Sequence, residues 1–142
     1  MNSQESFPKV LAGRLILLID DVHDNVEIMQ EALEWSGAEV IIAYDGLEGL
    51  EKAALHPDVI VSDLAMPVMT GYELLQALKD NRATAQIPVI VLTAHATDSY
   101  RIAAFEAGSH NFLVKPVSIT TLVNEILSVL QDTEYALKLP PV

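Results

Sequence analysis

A doubly wound α/β fold, with a single parallel sheet of five strands in the order 2-1-3-4-5 and five covering helices, follows from three features of the 142-residue sequence. Five short apolar runs recur at near-regular spacing, each bounded by turn or cap residues. The segments between them carry helical periodicity. The runs are apolar throughout rather than alternating, the pattern of strands buried on both faces beneath right-handed crossovers.

The elements follow in order. Leu15 to Ile19 reads as the first strand, and Ile28, Met29, Ala32 and Leu33 carry the helical periodicity of a first helix ended by Gly37. Val40 to Ala43 is the second strand, after which Asp45 and Glu48 form a capping box for a helix ending before Pro57. Val59 to Val61 and Gly71 to Asp80 make the third strand and helix, with Thr70 a turn detail. Val89 to Leu92 and Asp98 to Ala107 make the fourth pair, closed by Gly108 as a helix cap. Phe112 to Val114 and Ser118 to Leu130 make the fifth. The domain is expected over residues 14–131, with an N-terminal extension at 1–13 and a C-terminal tail or linker stub at 132–142 that includes Leu139-Pro140-Pro141-Val142. One domain of this size leaves no room for a DNA-binding or catalytic output domain. The expectation is direct contact with a partner, or a module taken from a longer regulator or hybrid kinase.

Eight Lys and Arg against 20 Asp and Glu give a formal charge of −12 with the four histidines neutral. Phosphate backbones and anionic lipid heads would repel such a chain, so neither nucleic acid nor membrane is an expected partner. With no cysteine there are no disulfides, thiolate metal sites or cysteine nucleophiles. The polar start MNSQESFPKV has no apolar signal core and no run approaches a bilayer span, so the expected location is cytoplasmic.

In a sheet of this order the ligand crevice lies outside the carboxyl ends of strands 1 and 3. Strand 1 delivers Asp20 and Asp21 there, strand 3 Asp63, strand 4 Thr93, and strand 5 Lys115 followed by Pro116. A single Asp after a strand is ordinarily a turn or cap residue. Capping does not account for two adjacent acids, a third acid, a threonine and a Lys-Pro pair at successive strand ends. Carboxylates this close repel one another unless a cation intervenes, which implies a hard divalent ion. Mg²⁺ fits, because it takes one or two carboxylates, keeps waters and leaves room for a phosphate oxygen. A phosphoryl group would meet both the ion and Lys115.

The stretches LILLIDDVHDN, VSDLAMPVMTGYELL, IPVIVLTA and AGSHNFLVKP resemble, in order and spacing, the receiver domains of two-component response regulators, including the chemotaxis-type single-domain regulators. The resemblance covers about residues 14 to 131 and implies a flavodoxin-like fold. It implies that Asp63 accepts a phosphoryl group from a histidine kinase or phosphotransfer protein. Asp20, Asp21 and Asp63, with the carbonyl of Ala65, would hold Mg²⁺. Thr93 and Phe112 would be the switch pair. Lys115 would contact the phosphoryl group, with a cis bond to Pro116, and the Ala94 amide would add a backbone donor. Ala65 and His95 would tune dephosphorylation, and Phe112 lacks the hydroxyl of the frequent tyrosine. Downstream proteins would meet the face of helix 4, strand 5 and helix 5.

Moving a population from 1:99 to 99:1 takes about 5.5 kcal/mol, whereas one charged hydrogen bond supplies about 1.5–3 kcal/mol. Thr93, Lys115 and the Ala94 amide must therefore act together, drawing in the loop after strand 4 and vacating space for Phe112. Self-phosphotransfer and slow autodephosphorylation are the only chemistry expected. A haloacid-dehalogenase-like Mg-dependent phosphatase uses similar parts, but there the nucleophile follows the first strand and the acidic pair comes late. A receiver-like interaction module that never takes phosphate predicts no Mg²⁺-dependent labelling. Flavin binding is disfavoured because no Gly/Ser/Thr-rich loop follows strand 1. His23, His56 and His110 lack metal-ligand spacing and read as surface or loop residues. Met66 and Met69 pack the loop after Asp63, and Trp35 reads as partly buried against the adjoining helix.

Overall fold

The computed structural model describes residues 9–95 and 97–138, the side chains of 135–138 excepted. The expected extension and tail therefore lie partly outside the described residues, at 1–8 and 139–142. The chain alternates β1 (Leu15–Ile19), α1 (His23–Trp35), β2 (Glu39–Ala43), α2 (Gly46–Lys52), β3 (Val59–Ser62), α3 (Gly71–Asp80), β4 (Val89–Thr93), α4 (Asp98–Glu106), β5 (Asn111–Val114) and α5 (Ile119–Lys138). The strands pair in parallel in the order β2-β1-β3-β4-β5. Ile16 sits between Val40 on one side and Val59 on the other.

Successive side chains along each strand enter opposite layers. Leu17, Ile19, Ile60, Val89 and Val91 pack with Leu74, Leu75 and Leu78 of α3 and Ala104 of α4. Ile16, Leu18, Val59, Val61, Ile90 and Leu92 pack with Val26 and Leu33 of α1 and Leu122 and Ile126 of α5. That two-sided burial is why the strands show no polar alternation. No helix among the described residues is long and apolar enough to cross a membrane.

Several local expectations are corrected. Asp45 caps α2 by accepting from the Glu48 amide at 2.8 Å, but the Glu48 carboxylate does not close the box on Asp45. It accepts instead from the Tyr44 amide and from Lys52 Nζ. Helix α2 stops at Lys52 and gives way to a 3-10 turn, Ala53–Leu55, ended by His56 at φ 57°. The full capping box belongs to α3, where Thr70 accepts from the Glu73 amide and Glu73 reaches back to the Thr70 amide. The sequence ends the fifth helix at Leu130, whereas α5 continues to Lys138, tied back to the start of β1 by an Arg14–Glu134 ion pair. Before β1, Leu11 is fully buried and its amide donates to Ser36 O, so the described residues ahead of 14 are tied to the domain through Leu11. Gly37 and Gly108 end their helices at φ 97° and 109°, conformations that a side chain resists.

Candidate functional site at the carboxyl edge of the sheet

The parallel register brings the ends of β1, β3, β4 and β5 to one edge. Asp20 follows β1 with its amide donating to Ala43 O, and Asp63 follows β3 with its amide donating to Ile19 O, so the ladder itself sets these two acids side by side. Asp20 is 2% exposed. Its Oδ1 accepts from the Val22 amide at 3.0 Å, and Asp63 Oδ1 accepts from the amides of Leu64 at 2.7 Å and Ala65 at 3.3 Å. Each carboxylate thus spends one oxygen on the backbone and leaves the other aimed into the crevice. Asp20, Asp21 and Asp63 each offer an oxygen within 4.8 Å of the others.

Lys115 leaves β5 into this cluster, its amide held by Thr93 O. Its Nζ stands 2.8 Å from Asp20 Oδ2 and 3.2 Å from Asp63 Oδ2. Burial works against its charge, but the bond and field of Asp20, reinforced by Asp63, outweigh it and hold the ammonium pKa above the ordinary 10.5. The Lys115–Pro116 peptide bond is cis. Thr93, at the end of β4, is fully buried and its Oγ1 accepts from the His95 amide at 3.3 Å. Ala65 and Ala94 are exposed beside the cluster, and Ala94 shares a groove wall with Lys115.

Phe112 does not face the acids. Its ring is 7% exposed within the layer beneath α3 and α4, and the Arg101 guanidinium lies 5.4 Å above it. His95 is exposed and leans on Tyr100 of α4. His23 opens α1 stacked 3.9 Å from Tyr44, His56 is exposed, and His110 stands 3.8 Å from Asp132; none of the three joins the acids. Trp35 is half-buried at a groove shared by α1 and α5. Met66 is buried in the layer under α3, with Met69 packed against it.

Two contributors escape sequence reasoning. Gly71 lies so close beneath the site that a Cβ there would stand 2.5 Å from Asp63 O and 2.7 Å from Leu64 Cα. Tyr72 and Tyr100, 28 positions apart, meet beside His95. Only the T-x-x-E spacing of Thr70 and Glu73 offered a signal near either, as a capping box opening α3.

The donor set is hard oxygen and acidic, with one ammonium, and suits a small divalent cation together with a phosphoryl group. Residues 16–127 match the family model described as response regulator receiver domain. The chain is 40% identical over 123 residues to the probable transcriptional regulator ycf29 of Pyropia yezoensis, covering 86% of this chain and 53% of that protein. It spans about half the length of the curated relatives it matches. Among solved structures, the chemotaxis protein CheY4 of Vibrio cholerae superposes with a TM-score of 0.79 at 33% identity, over 83% of this chain and 99% of that one. The receiver domain of the sensor histidine kinase PA1611 of Pseudomonas aeruginosa, solved with a magnesium ion in its active-site cleft, matches with a TM-score of 0.79 at 27% identity, over 84% and 99% of the two chains.

Proposed function

The chain belongs to the response regulator receiver family of two-component signalling systems, and from that premise we propose that Asp63 is its phosphoacceptor. Lys115 bridging Asp20 and Asp63, with Asp21 in the same cluster, is the observation that carries the reading. Asp63 Oδ2 attacks the phosphorus of a phosphohistidine in line. A P–O bond forms, the P–N bond breaks, and the departing imidazole nitrogen keeps the electron pair and takes up a proton. Asp63 Oδ1 is held by two amides, so the carboxylate keeps its orientation as it reacts. Lys115 offsets charge on the equatorial oxygens, and the Thr93 hydroxyl and Ala94 amide are the donors that close on them.

Asp20, Asp21 and Asp63 suit Mg²⁺, and the carbonyl of Ala65 is the further ligand proposed. When bound, the ion would neutralise the carboxylates and polarise the phosphoryl oxygens. The resulting acyl phosphate biases the loop after β4, with Thr93 and Phe112 as the switch pair and the Arg101 guanidinium lying over the Phe112 ring. Ala65 and His95 flank the site and tune hydrolysis. No turnover beyond self-phosphotransfer and slow autodephosphorylation is proposed.

A protein donor must present its phosphohistidine at this edge. The apolar groove between α1 and α5, about 420 Å³ and lined by Ile28, Met29, Ala94, Lys115, Pro116 and Ile119, opens directly onto Lys115 and suits a histidine kinase or phosphotransfer protein. The output partner is proposed to meet α4, β5 and α5, where Ile102 and Phe105 are exposed. The functional unit is taken as residues 14–131, with Leu11 packed on it and α5 tied back to it through Glu134, in the cytoplasm.

Incubation with acetyl phosphate and Mg²⁺ tests the proposal by intact mass. A gain of about 80 Da, one HPO₃, is expected in the wild type and not in Asp63→Asn. No gain in the wild type, or an equal gain in both, overturns it. Turnover of a generic phosphomonoester would favour the phosphatase reading instead.

A further inference from the structure

The loop after β4 is tied to the outer helices by a ladder of rings. His95 lies against Tyr100 with centroids 5.1 Å apart and planes at 35°. Tyr100 in turn lies over Tyr72 at 6.3 Å and 16°, and the Tyr72 hydroxyl donates to Tyr100 O at 3.2 Å. Tyr72 packs against the core layer beneath α3, a helix whose start is fixed by the Thr70–Glu73 box. Burial and the neighbouring Tyr100 push the Tyr72 phenol pKa up, so it stays a neutral donor at ordinary pH. One end of the ladder is thus anchored in α3, and the other carries the residue next to Ala94.

We propose that Tyr100 and Tyr72 are positioning residues for phosphoryl capture, holding the loop in its present arrangement through the His95 imidazole. The inference rests on Asp63 as the acceptor. For the Ala94 amide to close on a phosphoryl group at Asp63, the chain from Thr93 to His95 must move inward, while Tyr100 stays on α4 against Tyr72. The His95–Tyr100 contact is then lost. A contact made in one state only biases the equilibrium toward that state. The ladder therefore opposes capture, and removing it favours capture.

The test measures, on the full chain with Mg²⁺, the apparent affinity for beryllofluoride as a phosphoryl mimic and the rate of labelling by acetyl phosphate. Loss of one aromatic contact in Tyr100→Ala should raise both by about two- to tenfold. Tyr100→Phe, which keeps the ring, should restore wild-type values, and Tyr72→Phe should fall between. His95→Ala should reproduce the gain, and the His95→Ala/Tyr100→Ala double variant should add nothing to it. Urea unfolding confirms that each variant is folded, and a general loss of structure would weaken binding rather than strengthen it. Unchanged or reduced affinity in Tyr100→Ala, no rescue by Phe, or additive gains in the double variant overturn the inference while leaving Asp63 as acceptor. A wild type that takes neither probe overturns both.

Discussion

Lys115 sits closer to Asp20 than to Asp63: its Nζ is 2.8 Å from Asp20 Oδ2 and 3.2 Å from Asp63 Oδ2. The ammonium therefore leans on Asp20, and Asp63, the acid proposed to react, keeps the looser contact. Asp63 is restrained by two backbone amides but not clamped by its cation.

Removing that cation leaves Asp20, nearly inaccessible to water, facing two other carboxylates. Lys115→Met is expected to lower stability by about 1–3 kcal/mol in metal-free buffer, since a buried charge loses its partner but Asp63 keeps some solvent screening. Urea unfolding in EDTA measures it; a variant as stable as the wild type would show the bridge to be structurally idle.

Mg²⁺ should act in the same direction as the lysine. At a hundred times its dissociation constant, a ligand that binds only the folded chain adds about 2.7 kcal/mol. Thermal melts with Mg²⁺ and with EDTA should differ accordingly in the wild type, and the difference should collapse in Asp21→Asn. A shift that survives in Asp21→Asn would place the ion elsewhere.

Two lysines set opposite alkaline slopes. Lys115 has a raised pKa, so its contribution is complete below 10.5 and is lost as pH climbs through its higher folded value. Lys79, half-buried with Nζ on the carbonyls of Ala85 and Ile87, has its pKa lowered by burial. The unfolded chain then binds more protons between the folded value and 10.5, and stability rises with pH across that window. Urea midpoints measured from pH 8 to about 10.5 should show that rise shrinking in Lys79→Met and persisting in Lys115→Met.

Thr70→Ala removes the hydroxyl that accepts from the Glu73 amide, while the residue-70 amide still donates to the Glu73 carboxylate, and is expected to cost about 1 kcal/mol. Thr70→Ser keeps the hydroxyl and should recover most of it in the same urea assay.

Gly71→Ala meets the backbone of Asp63 and Leu64, which cannot step aside as a flexible side chain would. Overpacking of this kind costs about 1–3 kcal/mol, and it displaces the acceptor loop. Slower labelling by acetyl phosphate should accompany the lower urea midpoint. Gly46→Ala, which meets mainly the Met69 side chain, should be milder.

The strands are legible in sequence because a sheet covered on both faces needs uninterrupted apolar runs, and the strand ends are legible because only they reach the crevice. Asp20, Asp63, Thr93 and Lys115 are found that way. Helix ends are less legible. Nothing local to Leu130 says that Arg14 will pair with Glu134 and accompany a longer α5. Thr70 looks like any turn residue until Glu73 folds back on it. The orientation of Phe112 and the meeting of Tyr72, Tyr100 and His95 depend on how α3 and α4 pack, which no spacing along the chain encodes. Gly71 is flagged only by the distance to a backbone that the fold brings beneath it.

Asp20 and Lys115 are 95 positions apart in the chain, and such distant partners meet only after the intervening segments have ordered. A polypeptide still leaving the ribosome, with β1 formed and β5 unmade, carries acids without their counterion. Completion of the last strand is thus what brings the ammonium to the acids.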